Sequence, residues 1–387
     1  MNIHPEEIAI IANNSVEKIT MAGISKYYRE EGEMQRAAAA FWQWFIEHEH
    51  RFRELEKNDS DQALSFLEEL IRQMQPFNPY LKALAGPDND GNYELIITSD
   101  GDIALFCKVE ELVNAAPKVP FWVFTAHKPP LGFEGISIDL YGLQFTSTTT
   151  SFYPVIRDNY PDEVSIVITH TEYTKEMDDH FQAGGMIYLE NGLGEVNTAT
   201  KIDNYETGPV PEAGQGIEII PITKLHEYLN WREKEFVEKY ESVPAERPDT
   251  FHLLEAEDKD GKKILIAVNM DCRYWDKKPA YSWLLQVNIN FTGDEDGFPF
   301  EEQLMELQTL EEEMFTLLPT DRSILAGNKV YDNCKNIYFY VSEYRNTAAL
   351  MNQYVESRET PYEILFFIRR DKYWRTMEQY FNLPIED

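Results

Sequence analysis

Apolar and polar residues repeat with two different periods along this chain, and the changes of period mark its elements. Residues 5–75 repeat every three to four positions, the spacing of helices. In "FWQWFIEHEHRFREL", Phe41, Trp44, Phe45, His48, Phe52 and Leu55 share one face, as expected of an aromatic-rich helix packed on a sheet. A second helix is predicted over 61–75, capped by Ser60 or Asp61 and closed before Pro76. From Tyr80 the period falls to two, and "YLKALAG", "YELIITS", "DIALFCK", "FWVFTAH", "ISIDLYG", "VSIVITH" and "VNTATKI" read as strands. Helices interrupt them at "VEELVNAAP" and near 175–193. In the second of these, Ala183, Gly184 and Gly185 permit close approach to a sheet, and Gly192 or Gly194 fits the C-terminal stop. A loop at 206–216 leads to an amphipathic helix near 222–240.

The segment "ESVPAERPD", 241–249, carries two prolines and mixed charge and is the expected linker. It separates an α+β domain over 1–240, with N-terminal helices and a mixed sheet, from a second domain over 250–387. There "FHLLEAE" and "KKILIAV" flank "DKDG" as a hairpin. The strand "YSWLLQVNINF" follows, then a helix near 300–318, strands "SILAGNKVY" and "NIYFYVS", a helix near 345–357 and the strand "YEILFFIRR". That β-α-β-β-α-β order predicts a ferredoxin-like, split β-α-β fold, and the whole chain is predicted to be α+β.

Charge narrows the partners. The 387 residues carry a formal net charge of -33, spread as 40 acids against 19 bases in 1–240 and 28 against 16 in 241–387. A field of that sign repels nucleic acid and anionic membranes. No apolar run approaches the ~20 residues of a membrane span, and the start of the chain lacks the basic and long apolar regions of a secretory leader. Three scattered cysteines, Cys107, Cys272 and Cys334, form no CxxC pair and read as reduced thiols. A cytoplasmic location is the expectation.

Little in the chain looks catalytic. The D-x-D-G stretches ending at Gly91, Gly261 and Gly297 resemble calcium loops, yet with Gly297 at the sixth position Thr292 and Gln303 occupy the anchoring first and twelfth. They read as acidic turns. His48 and His50 lie on different sides of one helix and cannot grip a single metal. His127 and His170 each end an apolar strand. If those strands are neighbours, the two histidines and Asp178 form the best available metal or acid–base cluster, which would make the protein a hydrolase or metal-dependent enzyme. No nucleophile elbow, phosphate loop or basic aromatic stripe is present, and no cofactor or metal is expected. A small-ligand site near Trp122 is a further option.

In the second domain "TGDEDGFPFEEQLMELQTLEE", "NIYFYVSE" and "PYEILFFIRRDKYWRTMEQYF" resemble a bacterial domain-of-unknown-function family grouped with the regulator of ribonuclease E activity B. The shared marks are a D-x-x-G-x-P turn before the first helix, an aromatic strand, and an ending around Asp371, Trp374 and Tyr380, over about 251–381. The resemblance implies a ferredoxin-like fold and no known catalytic residues; its regulator branch works by binding a protein. The N-terminal part, with "FWQWF", "ELIITSDG" and "GLGE", resembles a second uncharacterised bacterial domain.

One surface stands out. From Pro279 to Asp321 there is no Lys or Arg, against ten acids. Phe300, Leu304, Leu307, Met314 and Leu318 trace the expected buried stripe of the helix, leaving Glu302, Glu306 and Glu313 toward solvent. The leading expectation is a non-enzymatic interaction or regulatory protein whose acidic helix meets a basic protein surface.

Overall fold

The computed structural model describes residues 32–54, 60–87, 91–212, 216–240 and 249–382. The helical reading of 5–31, Leu55, the Asp88 turn and most of the expected linker lie outside them. The chain forms two compact units, one from Gly32 to Glu235 and one from Phe236 onward.

The first unit opens with α1 (Glu33–Arg53) and α2 (Ser60–Met74). Helix α1 buries Phe41, Trp42, Phe45 and Phe52. Trp42, rather than the expected Trp44, enters the core: its ring meets Phe124 at 4.6 Å and its indole N–H donates to Leu112 O at 2.9 Å. Trp44 and His48 instead stack on each other at the margin, 4.8 Å between centroids. These helices and a three-stranded sheet share one aromatic core. In that sheet β1 (Lys82–Pro87) runs antiparallel to β2 (Tyr93–Thr98), and β2 runs parallel to β3 (Trp122–Ala126). Helix α3 (Phe106–Asn114) makes the crossover between the parallel pair.

A hairpin, β4 (Ile138–Leu140) and β5 (Leu143–Phe145), precedes a second sheet of order β8-β7-β6-β9. Its strands are β6 (Thr150–Val155), β7 (Ser165–His170), β8 (Asn204–Gly208) and β9 (Ile220–Pro221). Between the parallel strands β7 and β8 lie α4 (Asp178–Leu193) and α5 (Glu195–Lys201). Helix α6 (Leu225–Tyr240) follows β9. The expected single mixed sheet is therefore two, each of mixed direction. The small residues of α4 do what their size allows: a Cβ at Gly184 would enter the Phe145 ring, and one at Gly192 the Phe133 ring.

Two expected strands are helical. "DIALFCK" enters a 3-10 turn at Ile103 because the Asp102 carboxylate caps it, accepting from Ala104 N at 3.0 Å. "VNTATKI" forms α5, where Thr198 and Thr200 bond back to the carbonyls of Gly194 and Val196 at 2.9 and 2.6 Å. Those bonds occupy hydroxyls that otherwise disfavour a helix.

The second unit is one six-stranded antiparallel sheet of order β10-β11-β13-β14-β12-β15. The strands are β10 (Phe251–Glu257), β11 (Lys263–Asn269), β12 (Trp283–Asn290), β13 (Ser323–Tyr331), β14 (Cys334–Val341) and β15 (Glu363–Arg370). Helix α7 (Glu301–Leu317) links β12 to β13, and α8 (Arg345–Ser357) links β14 to β15. The last four strands of that order, β13, β14, β12 and β15, have the ferredoxin-like arrangement. The β10–β11 hairpin extends that sheet past β13, where Leu265 faces Val330 and Ala267 faces Asn328. Helix α9 (Arg375–Phe381) closes the face opposite α7 and α8, over a core of Ile266, Val268, Leu284, Tyr340 and Trp374.

Candidate functional site

His127 ends β3 with φ of 64°, a left-handed conformation uncommon outside glycine. The turn lets its N–H reach Ile97 O at 2.8 Å and lets Lys128 N reach Glu195 Oε2 at 3.0 Å. Its ring is buried against Phe106, with Nε2 3.4 Å from Glu110 Oε1, while Nδ1 makes no hydrogen bond. His170 sits elsewhere in the unit. Its Nδ1 accepts from Glu172 N at 3.1 Å, so Nε2 carries the proton and donates to Gln144 O at 3.0 Å. Asp178 accepts from Tyr173 Oη at 2.9 Å and Thr207 Oγ1 at 2.7 Å. Tyr173 links His170 and Asp178, its N–H donating to His170 O at 3.1 Å, but His127 joins neither. Among the described residues, no three or more His, Cys, Asp or Glu side chains are grouped to hold a metal ion. Trp122 is core: it packs on Phe45 and donates to Glu49 Oε2 at 2.7 Å.

The polar centre of this unit gathers at the C-terminal ends of β2 and β3, where open α/β sheets commonly bind ligands. Glu195, the first residue of α5, is fully buried. Its carboxylate accepts from Thr98 Oγ1 at 2.6 Å, Gly101 N at 2.9 Å, Lys128 N at 3.0 Å, and both N and Oγ of Ser99 at 3.2 Å. Beside it Lys128 Nζ bridges Asp100 at 2.7 Å and Glu190 at 3.0 Å. Burial would discharge Lys128, but the two carboxylates outweigh it and raise its pKa. Burial also opposes ionisation of Asp100, yet Lys128 and Lys82 hold its pKa below the usual range. A saturated carboxylate and a lysine held protonated have little to offer a substrate. The cluster clasps two strand ends to a helix. Sequence reasoning missed Glu195 because its donors come from residues 67 to 97 positions earlier.

In the second unit, the residues singled out at the chain's end form a structural lock. Trp374 stacks on Tyr340, centroids 4.1 Å apart, and its indole N–H donates to Lys278 O at 3.1 Å and Tyr281 O at 3.0 Å. Asp371 accepts from Tyr340 Oη at 2.7 Å, Arg375 N at 2.8 Å and Thr376 Oγ1 at 2.6 Å, which starts α9. Tyr380 meets Tyr338 through their hydroxyls at 3.2 Å. The D-x-D-G turns also resolve into one device. Asp294 Oδ1 accepts from Asp296 N and Phe298 N at 3.0 and 2.8 Å; Asp258 Oδ1 accepts from Asp260 N and Lys262 N, both at 2.9 Å. In each turn the carboxylate is occupied by its own backbone, and the glycine has a φ near 80°.

Residues 256–382 match a family of unknown function, DUF695. No curated protein and no solved structure shows significant similarity to the chain. Within the matched region, Asp371, Trp374 and the turn before α7 serve its core and its helix starts. Burial raises the Cys272 thiol to about 12, far from reactive range. A shallow cleft of about 520 Å³ lies beside the start of α7, but Gln303 there is already held by Phe300 N and Thr292 O, both at 3.0 Å.

The exposed chemistry of the DUF695 region is on α7. The helix buries Leu307, Leu310 and Met314 against the sheet. Phe300 and Leu304, expected in that stripe, are exposed instead, because the helix lies with the 307–310–314 line downward. Leu304 is 52% exposed, Met305 59% and Phe315 42%. Glu306 and Glu313 turn toward α8: Glu306 accepts from Tyr362 Oη, and Glu313 accepts from Tyr354 Oη at 2.8 Å and pairs with Arg358 at 3.0 Å. Glu302 is exposed. On the other flank Glu311 pairs with the buried Lys335 and accepts from Asn328 Nδ2 at 2.9 Å. Glu301 and Glu312 stand exposed among Leu304, Met305 and Phe315.

Proposed function

We propose that the chain is a non-enzymatic interaction protein and that α7 is its docking helix, with a basic, partly apolar protein surface as partner. One observation carries this reading: a helix without a single Lys or Arg exposes three large apolar side chains between its acids. Solvated helices hide such side chains or mix charge signs. Apolar anchors bordered by charge of one sign suit a complementary partner, with the contact in the anchors and the rate of encounter in the field. The second domain resembles a family of unknown function grouped with the regulator of ribonuclease E activity B, and the regulator branch works by binding a protein, which is in keeping with this role.

The two flanks of α7 divide the work. Glu302, Glu306 and Glu313 act at long range, since two of them are engaged by α8 and the loop after it. Replacing all three by Gln slows association and flattens its salt dependence. Glu301 and Glu312, beside the apolar anchors, act in the contact. The test is titration of the full chain with a synthetic helical peptide of about 14 residues, Leu on one stripe and Lys elsewhere. The Glu301→Gln/Glu312→Gln protein binds it about tenfold more weakly than wild type. The control Glu134→Gln/Asp139→Asn, equal in charge change but in the first unit, does not. Equal weakening in both would reduce the effect to overall charge and overturn the reading.

A further inference from the structure

The apolar side of α7 does not stand alone. Residues of the β10–β11 hairpin alternate between two faces. Leu254, Ile266 and Val268 point to the face closed by Trp374 and Met377. Phe251, Leu253 and Leu265 point to the opposite face, the one that carries α7 and α8, and there they are exposed: Leu253 is 87% accessible. The helices of the ferredoxin-like core cover the inner strands of that face and stop at α7.

The register joins helix and hairpin into one concave surface. Leu253 faces Ala267, which faces Asn328; Glu255 faces Leu265, which faces Val330. Asn328 reaches up to Glu311 of α7. Leu304, Gln308 and Phe315 lie on the Glu311 side of the helix, seven and three residues before it and four after, so they overhang the same strands. Strands β13, β11 and β10 are spaced about 4.8 Å apart, giving a floor about 10 Å wide, the diameter of one α-helix. From Leu304 to Phe315 the wall runs about 16 Å at ~1.5 Å per residue, enough for three turns. Exposed Glu255 and Glu257 on β10 and Glu301 and Glu312 on α7 border the trough on its two long sides.

We infer that this trough is the seat of a single amphipathic helix of a partner protein, about three turns long, with an aliphatic stripe against Leu253, Leu265 and Phe315 and Lys or Arg on both flanks. The helix takes the place of a third member of the helical layer, beside α7 and over β11 and β10. A second copy of this chain is the wrong occupant, because it brings the same acids and a charge of -33.

The inference rests on the reading of α7 as a docking helix, and the experiment separates the two. The same Leu-striped Lys peptide is titrated into full-length wild type, into Leu253→Ser/Leu265→Ser and into Glu301→Gln/Glu312→Gln. The exposed positions of Leu253 and Leu265 leave the fold in place, checked by an unchanged melting curve. The expected result is a loss of about tenfold or more in affinity for both variants, and little binding of a peptide of equal composition with its Leu residues scattered. Loss in the α7 variant alone would overturn the trough and leave α7 as the docking site. Loss in neither would overturn both. Equal binding of the scattered peptide would overturn the helical occupant. A concentration-dependent dimer of wild type, abolished by the two serines, would give the trough to a second copy and overturn the inference.

Discussion

Asp102 shows how one half-buried side chain sets a pH dependence. It caps the turn before α3, and burial pushes its pKa from 3.8 up to about 6. The folded state therefore holds a proton that the unfolded chain releases between about pH 4 and 6, so this residue's contribution falls as pH rises through that window. Asp102→Asn keeps the cap. Urea unfolding of the variant followed from pH 4 to 8 should show a flatter profile and a gain of about 1–2 kcal/mol at pH 7; an unchanged slope would contradict the assignment. Trp374 is the opposite case, a side chain with every group engaged. Trp374→Phe leaves the carbonyls of Lys278 and Tyr281 without its N–H and shrinks a packed core, which costs about 2–4 kcal/mol in denaturant unfolding. Of the sequence-derived candidates at this scale, His170 is held by Gln144 and Asp178 by Thr207, while His127 has Glu110 at 3.4 Å and Glu195 at 3.9 Å. These partners come from other elements, which no spacing along the chain could reveal.

At the scale of elements, legibility followed the strength of the period. The hairpin and the β-α-β-β-α-β order of the second unit could be read because their strands alternate cleanly and their turns carry D-x-D-G. Helix α5 could not: "VNTATKI" has strand-forming residues, and its helix depends on Glu195 being caught by distant donors. The existence of α7 was legible, but its orientation was not. Phe300 and Leu304 fit an apolar stripe on paper, and only the packed sheet shows that Leu310 takes their place. The close approach of α4 was readable from its glycines and yields a sharp expectation. Gly192→Ala pushes a methyl into the Phe133 ring and costs about 1–3 kcal/mol in thermal or urea unfolding. A neutral substitution there would mean that the Phe133 loop yields freely.

At the scale of the whole molecule, the acidic field and the two units frame what the chain can meet. Among the described residues no helix is long and apolar enough to cross a membrane. The units divide between Glu235 and Phe236, near the end of α6, and we propose that the segment 241–249 after it is the linker beyond which the second domain folds by itself. Residues 250–387 expressed alone then give a cooperatively unfolding domain, since the six-stranded sheet, three helices and the Trp374 core all lie within them. A molten product would place part of that core outside the segment. On the reading proposed above, the second unit seats a basic amphipathic helix between α7 and β10. Methyl-resolved NMR of the full chain, titrated with the Leu-striped Lys peptide, tests it most directly. Saturable shifts are expected at Leu253, Leu265, Leu304 and Met305, with the buried methyls of Leu95 and Leu189 in the first unit still. Shifts confined to the first unit, or spread evenly over both units without saturation, would contradict it.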